Sequence, residues 1–186
     1  QDSWLDELLN HAQRPEVAIV GAKAISTART ITHAGIILGL EDSAGHGFAG
    51  KAISSSGYMN RLWVDQNYSA VSDVCLMIRK QVFDAVSGLD TDTFEQGAAD
   101  IDLCLRVAQQ GYLTVWTPHA VIIHDHPPTA VPHAVRSAFQ RRWAALLPRD
   151  PAYNANLSLD DTGGFKLADA QLSWQPLGWK PLPVIM

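Results

Sequence analysis

FEQGAADIDLCLRVAQQGYLTVWTPHAVIIHDH, residues 94–126, decides how this chain reads. Two acids, Asp100 and Asp102, open an amphipathic helix over 100–110, in which Leu103 and Val107 form an i,i+4 pair. Gly111 stands where a helix C-terminal glycine is expected. YLTVWTP, 112–118, reads as a strand ended by proline, and AVIIH, 120–124, as a second short strand. His124, Asp125 and His126 follow at once. An acid at a helix start, with a metal-capable imidazole one helix and one strand later, is the pattern of half an active site.

The flanking sequence supplies alternating elements. A helix is expected over 3–13, with Trp4, Leu5, Leu8 and Leu9 on one face, ended by Arg14-Pro15. VAIVGAKAI, 17–25, is a continuous apolar run of the kind buried strands carry. ITHAGIILGL, 31–40, reads as another strand or hairpin arm, and the Gly- and Ser-rich stretch 41–60 as a long loop. A strand over 68–79 leads into a short helix, KQVFDAV, and 87–94 reads as an acidic turn. Helix 134–147 carries an apolar stripe of Val135, Phe139, Trp143 and Leu146. The alternation predicts an α/β fold: a body over 1–147 and an extended, proline-bearing tail over 148–186 packed on it.

Composition narrows the function. The chain has 186 residues, 47% of them hydrophobic, enough for one domain with a core. Fourteen basic against 19 acidic residues leave a net charge of −5 with no basic run, which argues against nucleic-acid binding. No apolar stretch approaches the roughly 20 residues that span a bilayer. Cys75 and Cys104 each sit inside an apolar run and read as buried thiols of a reducing compartment. No GxGxxG or P-loop is present.

Six segments in order carry a resemblance: WLDELLNHAQRPEVAIVGAK (4–23), ITHAGIILGL (31–40), AGHGFAG (44–50), SAVSDVCLMIRKQVFDAVSGLD (69–90), ADIDLCLRVAQQGYLTVWTPHAVIIH (99–124) and RRWAALLPRDPAYNANLSL (141–159). Together they resemble the C-terminal, acceptor-side half of inverting family 2 glycosyltransferases of the GT-A fold, of the bacterial O-antigen and polysaccharide type. The resemblance implies a partial GT-A domain, a mixed sheet with flanking helices. It implies that the nucleotide-binding half, with its metal-holding Asp-x-Asp, lies upstream of Trp4-Leu5. The chain is then expected to be a segment of a longer enzyme and inactive alone. A nucleotide-sugar donor, a glycan acceptor and a divalent metal (Mn or Mg) belong to the full-length enzyme, with the metal not held tightly by this chain. The location implied is the cytoplasm, including the inner face of the membrane. A domain cut through its sheet is also expected to expose apolar surface and form homo-oligomers.

The same resemblance assigns roles. Asp100 matches the general base that takes the acceptor hydroxyl proton; read locally, it is an acid favoured by a helix N-terminus. Ala99 before it departs from the family's usual Glu, Asp or Asn. Asp102 matches a second acid, supporting substrate contacts or orienting structure through Arg106 at i+4. His124 matches a metal-ligating histidine, or is a loop histidine beside Asp125; His126 is its weaker substitute. Trp116 offers a sugar-stacking face or a core ring, and His46 in the Gly-rich loop an acceptor contact or a solvated side chain. Asp73, where the family has a small residue, approaches the acceptor or lies free on the surface. Two further readings compete: a non-catalytic carbohydrate-binding or scaffolding module, and a metal-dependent hydrolase using Asp100, Asp102, His124 and His126.

Overall fold

The computed structural model describes residues 3–94, 97–126, 131–160 and 164–168. Its centre is β1 (Val17–Ile25), buried along all but its last residue. It runs parallel to β7 (Leu113–Ile123), from Val17 opposite Leu113 to Ile25 opposite Ile123. Along its other edge it pairs antiparallel with β6 (Leu76–Ile78) and then with β2 (Ile31–His33). β5 (Gln66–Tyr68) closes the far side by pairing antiparallel with β7. A strand covered on both faces explains the unbroken apolar run of 17–22.

Helices cover both faces. α1 (Trp4–Ala12) buries Leu8 against Val17, Val20, Ala22, Val115 and Ala120. On the opposite face lie α2 (Lys80–Ala85), α3 (Thr91–Phe94), α4 (Ala99–Gln109) and α5 (His133–Trp143), contributing Val82, Phe94, Leu103, Val107, Phe139 and Trp143 to one core with Ile19 and Trp116. The architecture is the expected mixed α/β one: a mixed sheet with flanking helices. Among the described residues no helix is long and apolar enough to cross a membrane.

Five expectations about the elements change. The 31–40 run breaks at Gly35 (φ 83°) into β2 and β3 (Ile37–Leu38), and β3 pairs with β4 (Ala44–Gly45). Gly35 lies against the Tyr68 ring, where a Cβ would come within 2.5 Å, so the bend demands glycine. The 68–79 run is two strands, because β5 belongs to β7 and β6 to β1. The connecting chain crosses over β1 at Gly21, where an added Cβ would sit 2.5 Å from Val71 Cβ. Pro118 does not end a strand: Thr117 faces Ala22 and Val121 faces Lys23, so residues 118–120 bulge out and β7 resumes. The acidic turn contains α3, and α5 stops at Trp143.

The first part of the tail packs by a specific anchor. The buried Asp150 carboxylate accepts hydrogen bonds from the Leu38 N–H at 2.8 Å, the Ala152 N–H at 2.8 Å and the Ser69 hydroxyl. Leu157 then bridges to Leu167. The expectation for the rest of the tail, 169–186, falls outside the described residues.

Candidate active site

α4 starts on Ala98, which holds a left-handed φ of 68° and provides no side-chain cap. Asp100 therefore sits inside the first turn and does not cap the helix. One of its oxygens accepts the Ile101 N–H at 2.8 Å, and the other accepts the Asp73 N–H at 3.1 Å. The crossover between β5 and β6 thus delivers Asp73 to the start of α4. Burial raises the Asp100 pKa to about 6, and the neighbouring Asp73 charge raises it further, while the main-chain hydrogen bonds oppose both.

Beside the two acids lies a cluster of imidazoles from three parts of the chain. His33 ends β2, His46 follows β4, and His124 and His126 follow β7. The ring centroids of His33 and His46 are 4.6 Å apart, those of His33 and His124 5.6 Å, and those of His124 and His126 5.4 Å. Burial lowers the pKa of His33 to about 4 and of His46 to about 3, with His124 and His33 respectively adding to the effect. Asp73 acts on His33 in the opposite direction, which places His33 within electrostatic reach of Asp73. Both nitrogens of His33 and the Nδ1 atoms of His46 and His124 are buried without a hydrogen-bond partner. Neutral rings with spare nitrogens can accept or donate one bond each. The end of β7 is fixed by the His124 N–H donating to Ile25 O at 2.8 Å, and by Asp125 accepting from the Thr27 N–H at 2.6 Å and its hydroxyl at 2.8 Å.

Of the residues singled out in the sequence, Asp100, Asp73, His46 and His124 are gathered into this site. Two others are placed elsewhere. Asp102 is 0% exposed and accepts from Arg106 at 2.7 Å, from Arg142 at 3.0 Å and from the Trp143 indole at 3.0 Å. It joins α4 to α5, so its carboxylate has no free edge for substrate. Trp116 is 1% exposed, donates its indole N–H to Ala22 O at 3.2 Å and meets the Tyr68 ring edge-on at 6.2 Å. It is a core ring with no face open to a sugar.

No protein-family model matches the chain. The chain is 42% identical over 168 residues to the Sinorhizobium fredii "Uncharacterized protein y4gI", covering 84% of this chain and 18% of that protein. It is 35% identical over 170 residues to the "O-antigen biosynthesis protein RfbC" of Myxococcus xanthus, covering 86% and 13%. It is 26% identical over 166 residues to the "Pre-mycofactocin glycosyltransferase" of Mycobacterium tuberculosis, covering 89% and 33%. These likenesses support a glycosyltransferase family. The chain spans a third or less of the length of these relatives.

For a glycosyltransferase-like chain, the site contains one residue that sequence reasoning missed. His33 is 6% exposed and stands at the centre of the cluster, yet nothing in ITHAGIILGL marks it, because a histidine within an apolar run reads as a strand residue. The site fits a metal only in part. His124 has an unpartnered nitrogen, but the described residues assemble no group of three His, Cys, Asp or Glu side chains able to hold an ion. Chemically, the site offers a base with a pKa of about 6 and two uncharged imidazoles, His33 and His46.

Proposed function

We propose that residues 1–147 form the acceptor-side half of a GT-A domain of the family 2 type, with 148–186 packed on it, and that they serve an inverting sugar transfer. The observation that carries this reading is Asp100: a half-buried carboxylate, oriented by two main-chain N–H groups, with its pKa raised to about 6. An inverting transfer needs one such base, ionised near neutral pH and able to take a proton from the attacking hydroxyl. Asp73 keeps that carboxylate basic through its charge and orients it through its N–H. Burial keeps His46 and His33 uncharged.

Sequence beyond these 186 residues supplies the nucleotide-sugar site, in keeping with relatives several times longer. There His124 would contribute one imidazole toward a divalent ion, which would supply charge neutralisation for a diphosphate leaving group. We place the enzyme in the cytoplasm, where nucleotide sugars are consumed. The test is Asp100→Asn in the full-length protein, with transfer and donor binding measured separately. Loss of turnover by a factor of about 100 or more with donor binding retained is expected. Turnover close to that of the unchanged protein removes Asp100 from the chemistry.

A further inference from the structure

A second feature lies along the same Gly- and Ser-rich loop that carries His46. A cleft of about 370 Å³ is bounded by Phe48, Lys51, Ser55, Ser56 and Tyr58 from the loop and by Phe165 and Lys166 from the tail. Phe165 stacks on Phe48 at 4.6 Å and on Tyr58 at 5.3 Å, with ring planes 17° and 19° apart. The Arg61 guanidinium lies 5.6 Å from the centre of the Phe165 ring. Lys51 forms no ion pair among the described residues. Ser55 Oγ accepts the Gly57 N–H at 3.2 Å, which leaves its own O–H free to donate.

The loop tip holds backbone strain. Met59 and Asn60 are consecutive non-glycine residues with left-handed φ of 50° and 62°, and Met59 is 79% exposed. Such conformations collect at ligand-holding segments. The cleft also adjoins the imidazole cluster. A Cβ on Gly164, at its rim, would lie 3.8 Å from the Cα of Gly47, the residue after His46.

We propose that this cleft binds an acidic saccharide. The sugar ring lies on the aromatic ladder at Tyr58, its hydroxyls meet Ser55 and Ser56, and its carboxylate meets Lys51, with Arg61 adding positive potential behind the rings. Aromatic faces with a few polar groups at the edge suit sugar rings, whose C–H faces are apolar and whose rims are hydroxylated. Lys51 and Lys166 both line the cleft, and no phosphate-cradling glycine loop accompanies them, which favours a carboxylated sugar over a nucleotide. Calling this saccharide part of the acceptor rests on the sugar-transfer reading above; the binding itself does not.

The experiment is titration of the 186-residue chain with trigalacturonic acid, neutral galactotriose and UDP, followed by calorimetry and by saturation-transfer NMR. Trigalacturonic acid is expected to bind at least tenfold more tightly than galactotriose. Lys51→Gln should remove roughly threefold to tenfold of that preference while leaving galactotriose unchanged. Tyr58→Ala should weaken both sugars. Both side chains are exposed, so neither change threatens the fold. Three results overturn the proposal: no sugar binding, equal binding of the two sugars, or UDP binding that the two substitutions abolish. Indifference of sugar binding to both substitutions moves the site elsewhere and also overturns it. Binding as expected, in a full-length protein that transfers no sugar, keeps the cleft and rejects the transfer reading; transfer without binding here does the reverse.

Discussion

The main-chain N–H of Asp73 donates to the Asp100 carboxylate at 3.1 Å, although 27 residues separate them. The bond sets an acidic side chain beside a carboxylate whose pKa is already raised by burial, and the second charge raises it more. Asp73→Asn keeps the N–H and removes the charge. The acid limb of the transfer rate against pH, expected near 6 in the full-length enzyme, should move down by roughly 0.5–1 unit. An unmoved limb assigns that ionisation to another group.

Stability should fall on acidification below pH 6.5. His33 and His46 have folded-state pKa values of about 4 and about 3, lower than the usual 6.5, so the unfolded chain binds more protons across that interval. The stability they contribute is intact above 6.5 and drains away as pH falls toward 4 and below. Asp100 works the other way between about 6 and 3.8, since its raised pKa makes the folded form hold a proton more readily. With two groups against one, the urea midpoint should drop from pH 7 to pH 5. His46→Phe should flatten that dependence.

Asp102→Ala should destabilise the fold by about 3–5 kcal/mol, because it strands the Arg106, Arg142 and Trp143 donors that converge on one buried carboxylate. Arg142→Ala should cost less, since that side chain is partly exposed and Asp102 keeps two partners. Urea unfolding of the two variants orders them; a milder effect at Asp102 would show that the network is relaxed in solution.

The tail should detach when its anchor is cut. Asp150→Ala leaves the buried Leu38 N–H without its acceptor, a loss of about 1–3 kcal/mol. Limited proteolysis should then cut between residues 150 and 160 faster than in the unchanged chain. Equal cleavage rates would show that the aromatic contacts of Phe165 suffice to hold the segment.

The isolated chain should self-associate. Leu5 and Leu9 on α1 and Trp63 and Val64 in the loop before β5 are exposed apolar side chains. The His11–Asp65 pair at 3.4 Å brings that loop against the helix, so the exposed groups form a shared surface. Static light scattering should report a mass above 20.3 kDa that Leu9→Glu lowers. A monomer at all concentrations would show that this surface is tolerated in water.

The local elements were legible where one residue pattern has one solution. VAIVGAKAI could only be a buried strand, and the 3.6-residue spacing of Leu103 and Val107, with Gly111 behind them, marked α4 and its end. Pro118 misled because a proline stops a ladder unless the chain bulges around it, and only the partner strand shows the bulge. Asp102 and Trp116 carried residue types that suit a sugar site; burial, which depends on what packs against them, made them interior groups.

By itself, then, the sequence determined the α/β alternation, the strand and helix cores, and Asp100 at the opening of α4, because those depend on neighbours within a few residues. The tertiary structure alone decided that Asp73 meets Asp100 and that His33, His46 and His124 share one cluster. Those contacts join segments tens of residues apart, through a crossover over Gly21 and strands that end side by side. It also decided the chemistry, since a carboxylate pKa near 6 and neutral imidazoles arise from burial and neighbouring charge, which no local pattern encodes.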